Sequence, residues 1–240
     1  MRAGAHTLHA SLPLEALFSA PWGVVVLISC WSVKGGSGTT VVSVALALFL
    51  ARSSPDGALL VDLAGDAPAV LGLPDPTGPC TADWLAEPDA TPEALRRLEI
   101  DAGHALSLLP WGASTDHSIA SDGERLLDAL NGPRPVIVDC GSRLAGAALT
   151  VAASASVSLL VLRPCYLALR RALAAPVCAS GIVLVQERDR VLGRRDVEDV
   201  LGIPVRAEVP WDASVARMVD AGLLATRVPR VLERAMRAAA

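Results

Sequence analysis

The residues best suited to do chemistry stand in one short run, Lys34-Gly35-Gly36-Ser37-Gly38-Thr39-Thr40-Val41. Its glycines permit the unusual φ values of a tight turn and let an anion approach the main chain. An apolar run at 23–32 precedes it and a strongly apolar segment at 39–51 follows. That order predicts a buried strand, a turn and a helix in direct succession. Such a junction aims several backbone N–H groups and the positive end of a helix dipole at one point, which suits phosphate. Ser37, Thr39 and Thr40 place hydroxyls at the helix entry, where Thr40 is the expected Mg2+ ligand.

Thr39 stands where the common phosphate loop, Gly-x-x-x-x-Gly-Lys-[Ser/Thr], has its lysine. Lysine appears instead at the start of the loop, as Lys34. The chain contains 20 arginines and this single lysine. An arginine-rich chain that keeps its one lysine beside the glycines points to a task for a compact ammonium that a planar guanidinium does not fulfil.

The elements that must hold this loop follow from the hydrophobic pattern. Strands are expected at 59–62, 105–109, 136–139, 157–162, 182–186 and 205–209, and two of them end in aspartate, Asp62 and Asp139. Between and after them helices are expected at 123–130, 166–174, 195–201, 214–221 and 229–238, with short helices at 81–86 and 92–98 inside a stretch of loops from 65 to 101. Alternating strands and helices imply right-handed crossovers and an α/β fold of three layers, α/β/α, around a mainly parallel twisted sheet. Residues 1–21 read as a leader of uncertain order and 22–240 as one nucleotide-binding domain. With 52% apolar and only 3% aromatic residues, the interior must be built from Val, Leu and Ala, which suits strands buried on both faces.

The run Lys-Gly-Gly-x-Gly-[Lys]-Thr-Thr resembles the deviant Walker A loop of the ParA/MinD P-loop NTPases, a SIMIBI-type group. The form with Thr39 in place of the second lysine resembles an atypical branch that includes the TadZ/CpaE pilus-assembly and septum-site-determining-like proteins. The resemblance spans 23–240: Asp62 ends the second strand, Asp139 ends the Walker B strand, and Pro210-Trp211-Asp212 with Ala221-Gly222 resembles the late segment bordering adenine. It implies ATP and Mg2+ as cofactors and a homodimer closed across the nucleotide, with Lys34 acting in trans. Gly35, Gly36, Ser37, Gly38, Thr39, Thr40 and Val41 would cradle phosphate. Thr40, Asp62 and Asp139 would hold Mg2+, partly through water. Gln186, Pro210 and Asp212 would face the base.

Departures from the pattern bear on turnover. Ala64 replaces an acidic residue that positions water in active relatives, leaving Asp66 as the substitute, and Val41 replaces a hydroxyl. A missing phosphate-contacting lysine removes charge that would stabilise the transition state, so slow or absent hydrolysis is expected. The implied function is a nucleotide-dependent positioning or assembly factor for pilus or septum machinery, cytoplasmic and recruited to a pole or septum. The alternatives are an active partition ATPase and a pseudo-ATPase scaffold.

Other chemistries find less support. A dinucleotide fingerprint lacks its third glycine, at Val41, and gives Lys34 no role. His6, His9, His104 and His117 are scattered, and the five cysteines show no Cys-x-x-Cys spacing, so they read as buried reduced thiols. No segment reads as a membrane span. Net charge is −4, with an acidic first part and an arginine-rich last third. Arg163, Arg170 and Arg171 are the candidate DNA contacts, a role not favoured against that charge. The last helix sets Val228, Val231, Leu232, Ala235 and Met236 against Arg230, Arg234 and Arg237. Docking on the core is expected there, ahead of a membrane surface.

Overall fold

The computed structural model describes residues 26–113, 122–188 and 190–239. The proposed leader lies outside them. The strands are β1 (Leu27–Trp31), β2 (Ala58–Asp62), β3 (Ile100–Asp101), β4 (Leu106–Leu109), β5 (Val136–Asp139), β6 (Val157–Leu162), β7 (Gly181–Gln186) and β8 (Val205–Pro210). They form one sheet in the order β3-β4-β2-β5-β1-β6-β7-β8. Every pairing is parallel except the short β3–β4 edge. The helices are α1 (Thr39–Ser53), α2 (Ala67–Leu71), α3 (Thr81–Ala86), α4 (Pro92–Arg96), α5 (Gly123–Ala129), α6 (Gly146–Ser154), α7 (Tyr166–Leu173), α8 (Arg194–Leu201), α9 (Ala213–Asp220) and α10 (Arg230–Ala239).

Successive strand residues point to opposite faces, and the apolar set divides accordingly. Ile28, Cys30, Leu60, Ile137, Leu159 and Val183 join one buried cluster with α1, α2 and α10. Leu27, Trp31, Val61, Val138, Leu160 and Leu184 join a second with α3 through α8. The expected three-layer α/β/α architecture is therefore present, with a core on each side of the sheet.

The central strand β1 is buried at all five positions because β5 and β6 flank it and helices cover both faces. Polar groups inside this layer are paired: the Trp31 indole N–H donates to Ser158 Oγ at 2.9 Å, and Ser158 Oγ donates to the Ala152 carbonyl at 2.8 Å. This chain pins β1 to β6 and to α6.

α1 is apolar nearly all round because it is covered nearly all round, by the sheet, α2 and α10. α10 lays Leu232, Ala235 and Met236 into the core, so its apolar face is occupied by the domain, as the docking expectation has it. The Arg52–Glu233 pair across α1 and α10 is 3.5 Å long and roughly half exposed, and contributes little. Among the described residues no helix is long and apolar enough to cross a membrane.

Three elements depart from the sequence expectation. α6 is a full helix in a stretch for which the sequence predicts no element, since its Ala-rich sequence carries no polar face and merges with β6 in any hydrophobic profile. α2 forms in the proline-rich stretch, with Pro68 at its start, where the missing N–H costs nothing. β3 is two residues long and shows no period. The cysteines also divide: Cys30, Cys80 and Cys140 are buried, Cys165 is half-buried and Cys178 is exposed, so the expectation of five buried thiols is corrected at the last two. Burial raises the Cys30 thiol to about 12 and pushes Cys140 well up, which leaves both unreactive.

Candidate functional site

The loop between β1 and α1 closes on its own backbone. Ser32 Oγ and Ser37 Oγ both donate to the Lys34 carbonyl, at 3.1 and 2.8 Å. Gly36 and Gly38 have φ of 77° and 87°, a region that side-chain-bearing residues rarely adopt, and an added Cβ on either would meet open space. Backbone conformation, not crowding, therefore requires these two glycines. Gly38 is the N-cap of α1 and no side chain caps the helix, so the first-turn N–H groups of Thr39, Thr40 and Val41 lack a side-chain acceptor. At the end of an otherwise buried fifteen-residue helix, that is an anion site in waiting.

Two buried carboxylates stand beneath it. Asp62 and Asp139 end the neighbouring strands β2 and β5 in direct register, and neither is exposed. Their hydrogen bonding differs. Asp62 Oδ1 accepts from Ala64 N at 2.9 Å and Gly65 N at 2.7 Å, and Oδ2 accepts from Ala67 N at 3.0 Å. Asp62 thus clasps the turn from β2 into α2. Asp139 Oδ1 accepts from Gly141 N at 3.1 Å, while Oδ2 is buried without a partner.

Burial holds the Asp62 carboxyl above its ordinary value against the pull of three N–H groups. Burial and repulsion from Asp62 push Asp139 to about 7, with the Thr40 hydroxyl and Gly141 N–H pulling it back down. An orphaned carboxylate oxygen beside a hydroxyl, in a site short of positive charge, fits a cation. No group of three His, Cys, Asp or Glu converges among the described residues. A cation held by Thr40 and Asp139 would complete its shell with water and phosphate oxygens, as Mg2+ commonly does.

An open cavity of about 1140 Å3 lies over these groups. Its floor is 35–41; its walls are 63–66, 111–113 and 140–143; Ala69, Val70 and 219–222 close another side. The two acid-led loops touch here, for a Cβ on Gly141 would come within 3.0 Å of Ala64 Cβ. Asp66 is exposed and lines the cavity, while Ala64 leaves its wall without the expected carboxylate.

No protein-family model matches this sequence, and no curated protein matches it. Solved structures do. A ParA family ATPase from Chlorobium tepidum TLS aligns with a TM-score of 0.72 at 20% identity, covering 89% of this chain and 97% of that one. The septum site-determining protein MinD from Pyrococcus horikoshii OT3, complexed with Mg-ADP, aligns with a TM-score of 0.72 at 23% identity, covering 90% and 95%. This is the ParA/MinD fold. A MinC:MinD cell division protein complex from Aquifex aeolicus aligns with a TM-score of 0.63 at 19% identity, covering 90% and 92%.

On the ParA/MinD fold the sequence-chosen residues divide. Gly35, Gly36, Ser37, Gly38, Thr39, Thr40 and Val41 line the cavity together with Asp66, and Asp139 lies buried beneath. Lys34 is exposed and does not line it, and among the described residues it makes no ion pair. Gln186, Pro210 and Asp212 do not line the cavity either. Gln186 Nε2 donates to the Leu192 carbonyl at 3.3 Å, Pro210 ends β8, and Asp212 caps α9 by accepting from Ser214 N at 2.7 Å. The same late segment reaches the cavity through Ala221 and Gly222 at the end of α9.

Of the arginines weighed for DNA, Arg163 is engaged within the protein, paired with Glu187 and stacked 4.9 Å over the Trp211 ring. Arg170 and Arg171 are exposed on α7, and Arg171 Nη1 lies 3.5 Å from the Val33 carbonyl. Sequence reasoning missed Trp111 and Arg143. Only the fold reveals that the residues after β4 and β5 wall this cavity, although a basic residue four places after an aspartate-ended strand was a visible signal.

Proposed function

We propose that residues 22–240 form one ATP- and Mg2+-binding domain that acts as a nucleotide-dependent dimer, a positioning or assembly factor for pilus or septum machinery, with weak or absent hydrolysis. The observation that carries this reading is the uncapped start of α1, entered through two positive-φ glycines directly above an orphaned Asp139 oxygen. The Mg-ADP held by the horikoshii MinD and the MinC partner of the Aquifex MinD, on the same fold, support the nucleotide and the protein partner. The domain would work from the cytoplasm and be recruited to a pole or septum.

In this reading the N–H groups of the loop and of the first turn of α1 hold the phosphates, and the dipole of α1 adds to them. The Thr40 hydroxyl and Asp139 would hold Mg2+, which when bound neutralises phosphate charge. Asp62, whose oxygens are given to the α2 turn, shapes the cavity wall and lends its charge from below. Thr39 brings no charge to the phosphates and Ala64 no base to the water. Turnover is therefore expected to be slow, with the cavity-lining Asp66 as the substitute carboxylate near Ala64.

The test is to measure ATP affinity, phosphate release and mass in solution together. Tight binding and dimerisation without appreciable phosphate release is the expected result. Brisk release would favour a working partition-type ATPase, and absence of binding would leave only a scaffold.

Lys34→Ala removes an exposed ammonium that the monomer does not use. The expected outcome is an unchanged melting temperature and ATP affinity within a few-fold, with loss of the ATP-dependent dimer in light scattering. A variant that dimerises like the wild type would rule out the trans lysine.

A further inference from the structure

Among the described residues three charged side chains line the cavity: Asp66, Asp220 and Arg143. Beneath lie the buried carboxylates of Asp62 and Asp139. Among the described residues, a nucleotide's phosphates entering this site meet acid on several sides and one cationic side chain, Arg143. We propose that Arg143 supplies, from the same chain, the positive charge on the bound phosphates that Thr39 has removed from the loop. The proposal rests on the nucleotide reading above.

Placement supports it first. Arg143 follows a segment tied at both ends of the site: Gly141 N donates to Asp139 Oδ1 at 3.1 Å, and the Gly141 carbonyl accepts from Ser32 N at 2.8 Å, at the start of the phosphate loop. Ser142 Oγ lies 3.9 Å from where a Cβ on Gly35 would stand. The loop carrying Arg143 is thus pressed against the loop it is meant to assist.

Availability supports it next. Arg125, Arg134, Arg163, Arg190 and Arg194 are each committed to an acidic partner. Arg143 makes no ion pair or side-chain hydrogen bond among the described residues, and it is exposed to the cavity. An uncommitted guanidinium on the wall of a phosphate cavity presents a planar fork of donors suited to two phosphate oxygens at once. Lys34, by contrast, does not line the cavity.

The experiment titrates Mg-ATP into wild type, Arg143→Gln, Arg143→Lys, Thr39→Lys and the Thr39→Lys/Arg143→Gln double variant, with melting temperatures recorded for each. Arg143→Gln is expected to weaken ATP binding roughly 10- to 100-fold, the range for a lost hydrogen-bonded charge, with an unchanged melting temperature. Arg143→Lys should recover part of that loss. Thr39→Lys should recover most of it in the double variant, a rescue that a merely structural arginine would not permit. Arg143→Gln binding ATP as tightly as wild type, or melting several degrees lower, would overturn the proposal and leave the nucleotide reading standing. A wild type that takes no ATP at all would overturn that reading, and this assignment with it.

Discussion

The Asp139→Asn variant is expected to melt higher than the wild type at pH 8 without ligand, and to lose the Mg2+ dependence of ATP binding. The wild-type carboxyl is buried and held at about 7, by burial first and by Asp62 second. In the unfolded chain it titrates near 3.9. Between these values the folded protein keeps a proton that the unfolded chain has released. Stability from this group therefore falls as pH rises from about 4 to about 7, and stays low above. The span amounts to at most roughly 4 kcal/mol. Asp62, also raised by burial, acts in the same direction.

Asparagine keeps an oxygen for the Gly141 N–H and carries no charge, so the pH-dependent loss should shrink. At this chain length each kcal/mol is worth about 2–4 °C. The same exchange removes the anion that a cation would neutralise. Wild type should bind ATP better with Mg2+ than with chelator, and the variant equally in both. Thermal scans from pH 5 to 8 and titrations with and without Mg2+ decide the matter. A variant that melts lower at pH 8 would count against the buried charge as a stored cost.

Gly72→Ala is expected to cost more than about 3 kcal/mol, by backbone collision added to an unfavourable φ. Gly72 has φ +76°, and a Cβ there would stand 1.9 Å from the Gly222 carbonyl oxygen and 2.7 Å from its carbon. Neither atom is the end of a flexible side chain, so α2 and the end of α9 must part. Those two segments close one side of the cavity, through Ala69, Val70 and 219–222. Gly202→Ala is the control: φ is +65° and an added Cβ meets open space, so only the left-handed backbone cost of about 1 kcal/mol remains. A fall in melting temperature of at least 6 °C for Gly72→Ala against about 3 °C for Gly202→Ala is expected. Equal falls would show that the two backbones do not press together. ATP affinity should weaken only in Gly72→Ala.

Much of this molecule was legible before folding. The run into Gly35, the positive-φ glycines and the apolar α1 carry local information, because turn geometry and helix initiation depend on neighbours along the chain. Asp62 and Asp139 were legible as strand ends, and their register follows once β2 and β5 pair. α6 was not legible, since an alanine-rich helix buried on several sides shows no polar period.

What the sequence determined by itself is therefore the loop: its glycines, its displaced lysine at Lys34 and its threonine at Thr39. Only the tertiary structure decided what surrounds it. It gave the oxygens of Asp62 to the α2 turn and left one of Asp139 free, because the path of the following loop, not the residue type, chooses the partner. It kept Gln186, Pro210 and Asp212 off the cavity and brought Arg143 onto it. Strand identity is written in alternation along the chain, whereas the walls of a cavity are set by how distant loops pack at the strand ends.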